Sequence, residues 1–206
     1  MNDVAAILLA AGRSRRMGAF KPLLPFGATT VIDHCITTLR QAGIDSIVVV
    51  LGHRADDVRR QLQDTEVLFA LNPDPESEMG ASIASGIHQL AETAKATLIA
   101  LVDHPAVPAD VIRLLIDEWK SKGTRLVIPE FAGRGGHPVL VDLGFREELL
   151  RLAAAGGLRA LFEQHRDEVC RLPVSSPFVA RDMDTWEDYR QLHLETFGNP
   201  PERSDH

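Results

Sequence analysis

VAAILLAAGRSRRMGAFK, residues Val4 to Lys21, is the stretch from which the rest of the chain can be read. Val4 to Leu9 is apolar without a break, as suits a short strand covered on both faces. It then gives way at Ala10-Ala11-Gly12 to a loop carrying Arg13, Arg15, Arg16 and Lys21, with Gly18 among them. Ile47–Leu51 and Thr97–Val102 repeat the apolar run, and Val67–Leu71, Arg125–Ile128, Pro138–Val141 and Val169–Leu172 read as weaker strands. Between them the spacing turns helical. Ile32, Cys35, Ile36 and Leu39 lie on one face, with Gly43 as a stop. Ile83, Ile87 and Leu90 form a second stripe, and Val111, Ile112, Leu115, Ile116 and Trp119 a third, after Pro108. Strands alternating with helices predict one α/β domain, a mostly parallel central sheet flanked by helices. Ligands in such folds sit beyond the carboxyl ends of the strands. That rule points to Ala10–Lys21, Gly52–Arg54, Asn72–Ser85 and Asp103–Pro105.

Composition narrows the function. The chain has 206 residues, 45% of them apolar and 25% charged, which is ordinary for a globular domain. A net charge of −7 argues against a nucleic-acid or membrane-surface binder, since both need a broad basic field. The basic loop is therefore local, and suits a small anion. Cys35 and Cys170 lack zinc-ligand spacing and read as reduced, buried thiols, which predicts a cytoplasmic protein. Val4–Ala11 is too short to span a bilayer, and Asp3 before it is not the basic start of a signal peptide. Residues 1–197 read as the domain and Gly198–His206 as a flexible tail.

The loop's chemistry follows from its residue types. Gly12 and Gly18 let backbone N–H groups turn toward a ligand, and Arg16 and Lys21 add mobile positive charge there. Together these suit several phosphates, although a loop of solvated arginines has the same composition. A Walker loop is excluded, because five residues separate Gly12 from Gly18 and Phe20-Lys21-Pro22 supplies no hydroxyl for magnesium. A dinucleotide-binding GxGxxG is also absent. Farther on, Asp103 stands where LIALV ends, facing the ligand edge. A carboxylate there can bind Mg²⁺ alongside phosphate oxygens, or can cap the turn before Pro105. Thr185 with Asp188 marks a helix start that Trp186 and Tyr189 would pack down.

The pattern A-A-G-x-S-x-R-M-G-x-x-K is met by Ala10, Ala11, Gly12, Ser14, Arg16, Met17, Gly18 and Lys21, and Pro22 to Gly27 continue it as PLLPFG. It resembles the molybdenum cofactor cytidylyltransferase and guanylyltransferase group of MobA-like nucleotidyltransferases. The resemblance runs from about Val4 to Leu192 and implies a Rossmann-like, GT-A-type fold. It implies that the loop wraps a triphosphate, with Arg16 toward the departing pyrophosphate and Lys21 toward the α-phosphate. It makes Asp103 and Asp184, the latter in DMDTWED, the metal ligands, although Trp186 replaces the usual proline. Asn72, Ser82 and Gly86 match the segment that contacts the nucleoside, with Glu78 where glycine is common. His137 and Pro138 match the acceptor-side motif, with Gly135 in place of an arginine. His104 stands where the family usually has glutamine and reads as an orienting side chain.

Nucleotidyl transfer is then the expected reaction, with Arg16, Lys21 and Asp103 as its catalytic residues and no protein nucleophile. Ala-Ala-Gly leans toward CTP rather than GTP within the group. The implied acceptor is the phosphorylated pterin of molybdenum cofactor, with Mg²⁺ as cofactor and a molybdoenzyme as recipient. Three alternatives stand beside it: transfer to a sugar phosphate, transfer to another small phosphate, and a nucleotide-binding or cofactor-delivery protein without turnover.

Overall fold

The computed structural model describes residues 3–13, 16–74 and 77–201. Its centre is a sheet of β1 (Val4–Leu9), β2 (Ile47–Leu51), β3 (Leu68–Leu71), β4 (Ala96–Leu101), β5 (Leu126–Phe131), β6 (Val139–Asp142) and β7 (Val169–Pro173). The strands lie in the order β7-β5-β6-β4-β1-β2-β3, with the two-residue strand Arg134–Gly135 added to β5. Pairing is parallel at β1–β4, β1–β2, β2–β3 and β5–β7. β6 alone among the seven runs the other way, antiparallel to both β4 and β5.

Continuous apolar runs follow from burial on both faces. Val4, Ala6 and Leu8 of β1 enter one core with Val49, Leu98 and Leu140. Ala5, Ile7 and Leu9 enter the other with Val48, Val50 and Ile99. Each fully buried Leu, Ile or Val contributes about 1.5–3 kcal/mol, so the strand that launches the basic loop is firmly held. Helices α1 (Val31–Gln41), α2 (Ala55–Gln61), α4 (Ala109–Lys122) and α7 (Trp186–Phe197) cover the first face. α3 (Met79–Ile87), α5 (Arg146–Leu150) and α6 (Gly157–Gln164) cover the second.

The expected α1, α3 and α4 are present. α3 ends at Ile87, so Leu90 packs from the turn beyond it. α2, α5 and α6 each bury one residue, Val58, Leu149 and Leu161, and so carry no stripe for periodicity to find.

α7 matters most for the site. Thr185 Oγ1 accepts from Asp188 N at 3.1 Å while Asp188 Oδ2 accepts from Thr185 N at 2.8 Å, fixing the helix start. Tyr189 is buried and donates to the Pro25 carbonyl at 2.5 Å. His193 Nε2 accepts from Gly27 N at 3.2 Å, and its Nδ1–H donates to the Asn199 carbonyl at 2.7 Å. Trp186, expected to pack the helix down, is instead 42% exposed, and Tyr189 does that work. Just before the helix, Met183 N donates to Asp103 O at 2.9 Å. This bond brings a segment from the far end of the sequence to the end of β4. Among the described residues no helix is long and apolar enough to cross a membrane.

Candidate functional site

A cleft of about 490 Å³ opens at the carboxyl ends of β1, β2, β3 and β4. Ala11, Gly12, Arg16 and Lys21 come to it from the loop after β1, and Asp103 from the end of β4. Asn72 and Ser82 lie on the β3–α3 side, and Asp184 arrives from before α7. Residues more than 160 positions apart thus meet in one charged cluster.

Lys21 is the hub. Its side chain is 8% exposed, and Pro22 locks the short 3₁₀ turn Lys21–Leu23 on which it sits. Its Nζ donates to Asp184 Oδ1 at 2.7 Å and lies 3.5 Å from Asp103 Oδ2. Arg16 pairs with the other oxygen of Asp184 while most of its side chain stays in water. The sequence suggested two mobile cations. The structure gives one of each kind: Arg16 exposed, and Lys21 pinned because its stem is packed and both carboxylates converge on its ammonium. The Lys21 hydrogen bond, with the charges of Lys21 and Arg16, holds the Asp184 carboxyl below the usual carboxylate range.

A neutral cluster forms the opposite wall. Asn72, buried, donates through Nδ2 to Ser77 Oγ at 2.8 Å and to Ser82 Oγ at 2.9 Å. Its Oδ1 accepts from Asp74 N at 3.1 Å. These bonds fix donors and acceptors that can meet a polar ring or ribose, and Asp74 lines the cleft beside them.

The remaining predicted residues are distributed as follows. Gly12 borders open space, with nothing within 4 Å of where a Cβ would stand. Gly18 has φ +68°, a conformation that favours glycine, but does not line the cleft. Ala10 is buried in the core beneath the loop. Gly86 is also away from the cleft: a Cβ there would meet Ile7 Cγ2 at 2.7 Å, so it serves the packing of α3 on β1. Ser14 lies outside the described residues. Gly52, Asp74, Ser77 and Met79 also line the cleft, inside the loop segments that the sequence pointed to although none was named as a site residue, whereas Leu9, Pro22, Leu101 and Val102 were not anticipated as cleft-lining residues. Gly52 had a signal, since it stands in the loop after β2; a Cβ there would meet the Ala11 carbonyl at 2.8 Å.

His137 and Pro138 lie outside this cleft. Gly136 and His137 pass beneath the turn Pro177–Ala180, where His137 N donates to Val179 O at 2.8 Å. A Cβ on Gly136 would stand 2.0 Å from that same carbonyl oxygen, so only glycine fits. The His137 ring packs edge-on against His104, centroids 5.5 Å apart, and both Nδ1 atoms are buried without a hydrogen-bond partner. Burial, then the neighbouring His104, pushes the His137 pKa down to about 4, so it is neutral at physiological pH. His137 borders a second cleft, with Gly135 and Gly136 beside it.

The donor set is suited to a shared metal. Among the described residues no three His, Cys, Asp or Glu side chains are grouped to hold an ion by themselves. Asp103 and Asp184, however, both face the Lys21 ammonium at the cleft floor. Two carboxylates completed by substrate phosphate oxygens are a common Mg²⁺ set.

Comparison with known proteins gives the family and the fold. The family model described as the MobA-like NTP transferase domain matches residues 6–169. A protein of Paenarthrobacter nicotinovorans named nicotine blue oxidoreductase is 29% identical over 196 residues, 92% of this chain and 96% of that one. The crystal structure of an Rv0371c homologue from Mycobacterium sp. strain JC1 is 30% identical, with TM-score 0.82, covering 94% of this chain and 96% of that one. Rv0371c of Mycobacterium tuberculosis H37Rv in complex with manganese is also 30% identical, with TM-score 0.76 over 92% and 96%.

Proposed function

Since the chain belongs to the MobA-like NTP transferase domain family, we propose that it moves cytidine monophosphate from CTP to the phosphate of molybdenum cofactor, releasing pyrophosphate. The observation that carries this is the convergence of Lys21, Asp103, Asp184 and Arg16 in one cleft.

In this reading an oxygen of the ionised acceptor phosphate attacks the α-phosphorus of CTP. The bond from that phosphorus to the bridging oxygen breaks, and the electron pair leaves with pyrophosphate. The protein needs no nucleophile of its own, so its work is positioning and charge stabilisation. Lys21, held from beneath by two carboxylates, is aimed at the α-phosphate. Arg16, exposed and anchored on Asp184, takes the charge that grows on pyrophosphate. Asp103 and Asp184 would hold Mg²⁺, which supplies further positive charge to the phosphates when bound. Asn72, Ser77 and Ser82 take the nucleoside side. Ala11 in the Ala-Ala-Gly loop supports CTP over GTP by resemblance, and a molybdoenzyme would receive the product.

Pyrophosphate release with Mg²⁺ tests the proposal, with CTP, GTP, ATP and UTP each offered with and without molybdenum cofactor. Release with CTP only when the cofactor is present is the expected result. Release with a sugar 1-phosphate instead would move the acceptor, and silence without nucleotide binding would refute the reading. The near-full-length similarity to nicotine blue oxidoreductase favours a second reading, an oxidoreductase. Consumption of NADH or NADPH in the presence of a ring-containing electron acceptor, without pyrophosphate release, would select it.

A further inference from the structure

The turn that follows β2 touches the basic loop at both of its ends. At the entrance, His53 N donates to the Ala11 carbonyl at 3.5 Å. Gly52 lets that carbonyl come close, since a Cβ at 52 would stand 2.8 Å from it. At the exit, the His53 ring meets the Phe20 ring edge-on, centroids 5.9 Å apart, and the Arg54 guanidinium carbon lies over the same ring, 4.9 Å from its centre. A guanidinium in that place is attracted by the negative face of the ring. Phe20 is buried, and its carbonyl accepts from Leu23 N at 3.2 Å, closing the 3₁₀ turn that carries Lys21.

Arg54 stands there against the preference of its own backbone. Its φ of +54° and ψ of +38° are left-handed, a region that glycine enters freely and arginine does not. A glycine would suit the path of the chain better, and strain kept at one non-glycine position points to work done by its side chain. That work is not helix capping, because Arg54 gives α2 no side-chain cap. What the side chain does reach is Asp57 and Phe20. Arg54 Nε donates to Asp57 Oδ2 at 2.6 Å, which sets the direction of the guanidinium. The same bond, with the charges of Arg54 and Arg60, holds the Asp57 carboxyl below the usual carboxylate range.

We propose that Arg54 is a positioning residue: oriented by Asp57, it holds the Phe20 ring, and through it Lys21, in fixed relation to Ala11 and Gly12 at the entrance of the loop. Arg54 does not line the cleft, so it acts through Phe20 and not on a substrate. Its effect on turnover rests on the transferase reading; the clamp on the loop does not.

The test pairs hydrogen exchange of the free full chain with the kinetics of pyrophosphate release from CTP. Arg54→Gly relieves the backbone and removes the guanidinium, while Arg54→Met leaves the backbone strained and removes only the charged head. Both should speed exchange at the Met17–Lys21 amides by about tenfold and leave the amides of β1 and β4 unchanged. Both should lower kcat by about ten- to a hundredfold, as expected when a catalytic group drifts by roughly 1 Å, with KM for CTP changed by less than about threefold. In a Phe20→Leu background, Arg54→Gly should add less than about threefold to either effect, because the ring it acts on is gone. Arg54→Gly should keep or exceed the urea midpoint of the wild type, and a midpoint that falls in step with kcat would make Arg54 a structural residue instead. Unchanged exchange at Met17–Lys21, or an effect that Phe20→Leu leaves at full size, would overturn the proposal. Faster exchange with the expected dependence on Phe20, in a protein that never releases pyrophosphate, would uphold the clamp and reject the transferase reading.

Discussion

Lys21→Met tests the hub of the site with little change in volume. The methionine stem fills the packed channel and only the ammonium is lost, with its contacts at 2.7 Å to Asp184 and 3.5 Å to Asp103. A hydrogen bond to a charged group is worth about 1.5–3 kcal/mol. The two carboxylate side chains are 26% and 29% exposed, so water replaces part of what they lose. A stability loss of about 1–2 kcal/mol follows, small beside the roughly 5–15 kcal/mol of an ordinary domain. The transition state has no such replacement. Removing one preorganised donor at a developing charge costs about a hundred- to a thousandfold in rate, or roughly 3–4 kcal/mol. Urea denaturation measures the first quantity and kcat/KM for CTP in pyrophosphate release measures the second. A variant that unfolds would make Lys21 a structural ion-pair partner, and one within tenfold of wild-type activity would remove it from catalysis. Either result refutes the assignment.

Glycines sort by what surrounds them. Gly136→Ala should destabilise the fold by about 3 kcal/mol or more in urea, since its Cβ would lie 2.0 Å from the Val179 carbonyl. Gly12→Ala, which meets nothing within 4 Å, should leave stability within about 0.5 kcal/mol while weakening CTP binding measured by calorimetry. His137 has a folded pKa of about 4, below its ordinary 6.5. Its contribution is present above pH 6.5 and is lost as pH falls toward 4, by at most about 3 kcal/mol. Chemical denaturation of His137→Asn should accordingly show a shallower loss of stability over that window than the wild type. The Cys35 thiol, pushed up to about 12 mainly by burial, should resist a disulfide reagent at pH 8 until the protein unfolds, whereas Cys170, only half-buried although burial and Glu118 raise its thiol too, should react before Cys35 but more slowly than a free thiol. Reaction of both at equal rates would contradict the burial.

Much of this arrangement was legible in the chain because burial on both faces leaves a continuous apolar signature. β1, β2 and β4 each stood out for that reason, and the ends of β1 and β4 located Lys21 and Asp103 directly. The short helices α2, α5 and α6 were not legible, because one buried residue apiece sets no period. Within the site, residue type gave the charged members, but not their state. Nothing in Phe20-Lys21-Pro22 says that Lys21 is buried, since that follows from Asp184 returning at the end of the chain through the Met183–Asp103 bond. Gly86 shows the converse limit. A glycine beside a segment expected to meet the nucleoside reads like a ligand contact, while here Ile7 and Val50 occupy the space next to it. Met79 and Ser77 carry no distinctive chemistry alone and become site residues only through the cleft's shape.

The measurement that bears most directly on the central claim is the fate of the α-phosphate. The protein is incubated with Mg²⁺, molybdenum cofactor and CTP radiolabelled at the α position, and the products are separated. Label carried onto the cofactor, with loss of that transfer in Lys21→Met, is the predicted result. Label remaining in CTP, or appearing only in free cytidine monophosphate, would contradict it.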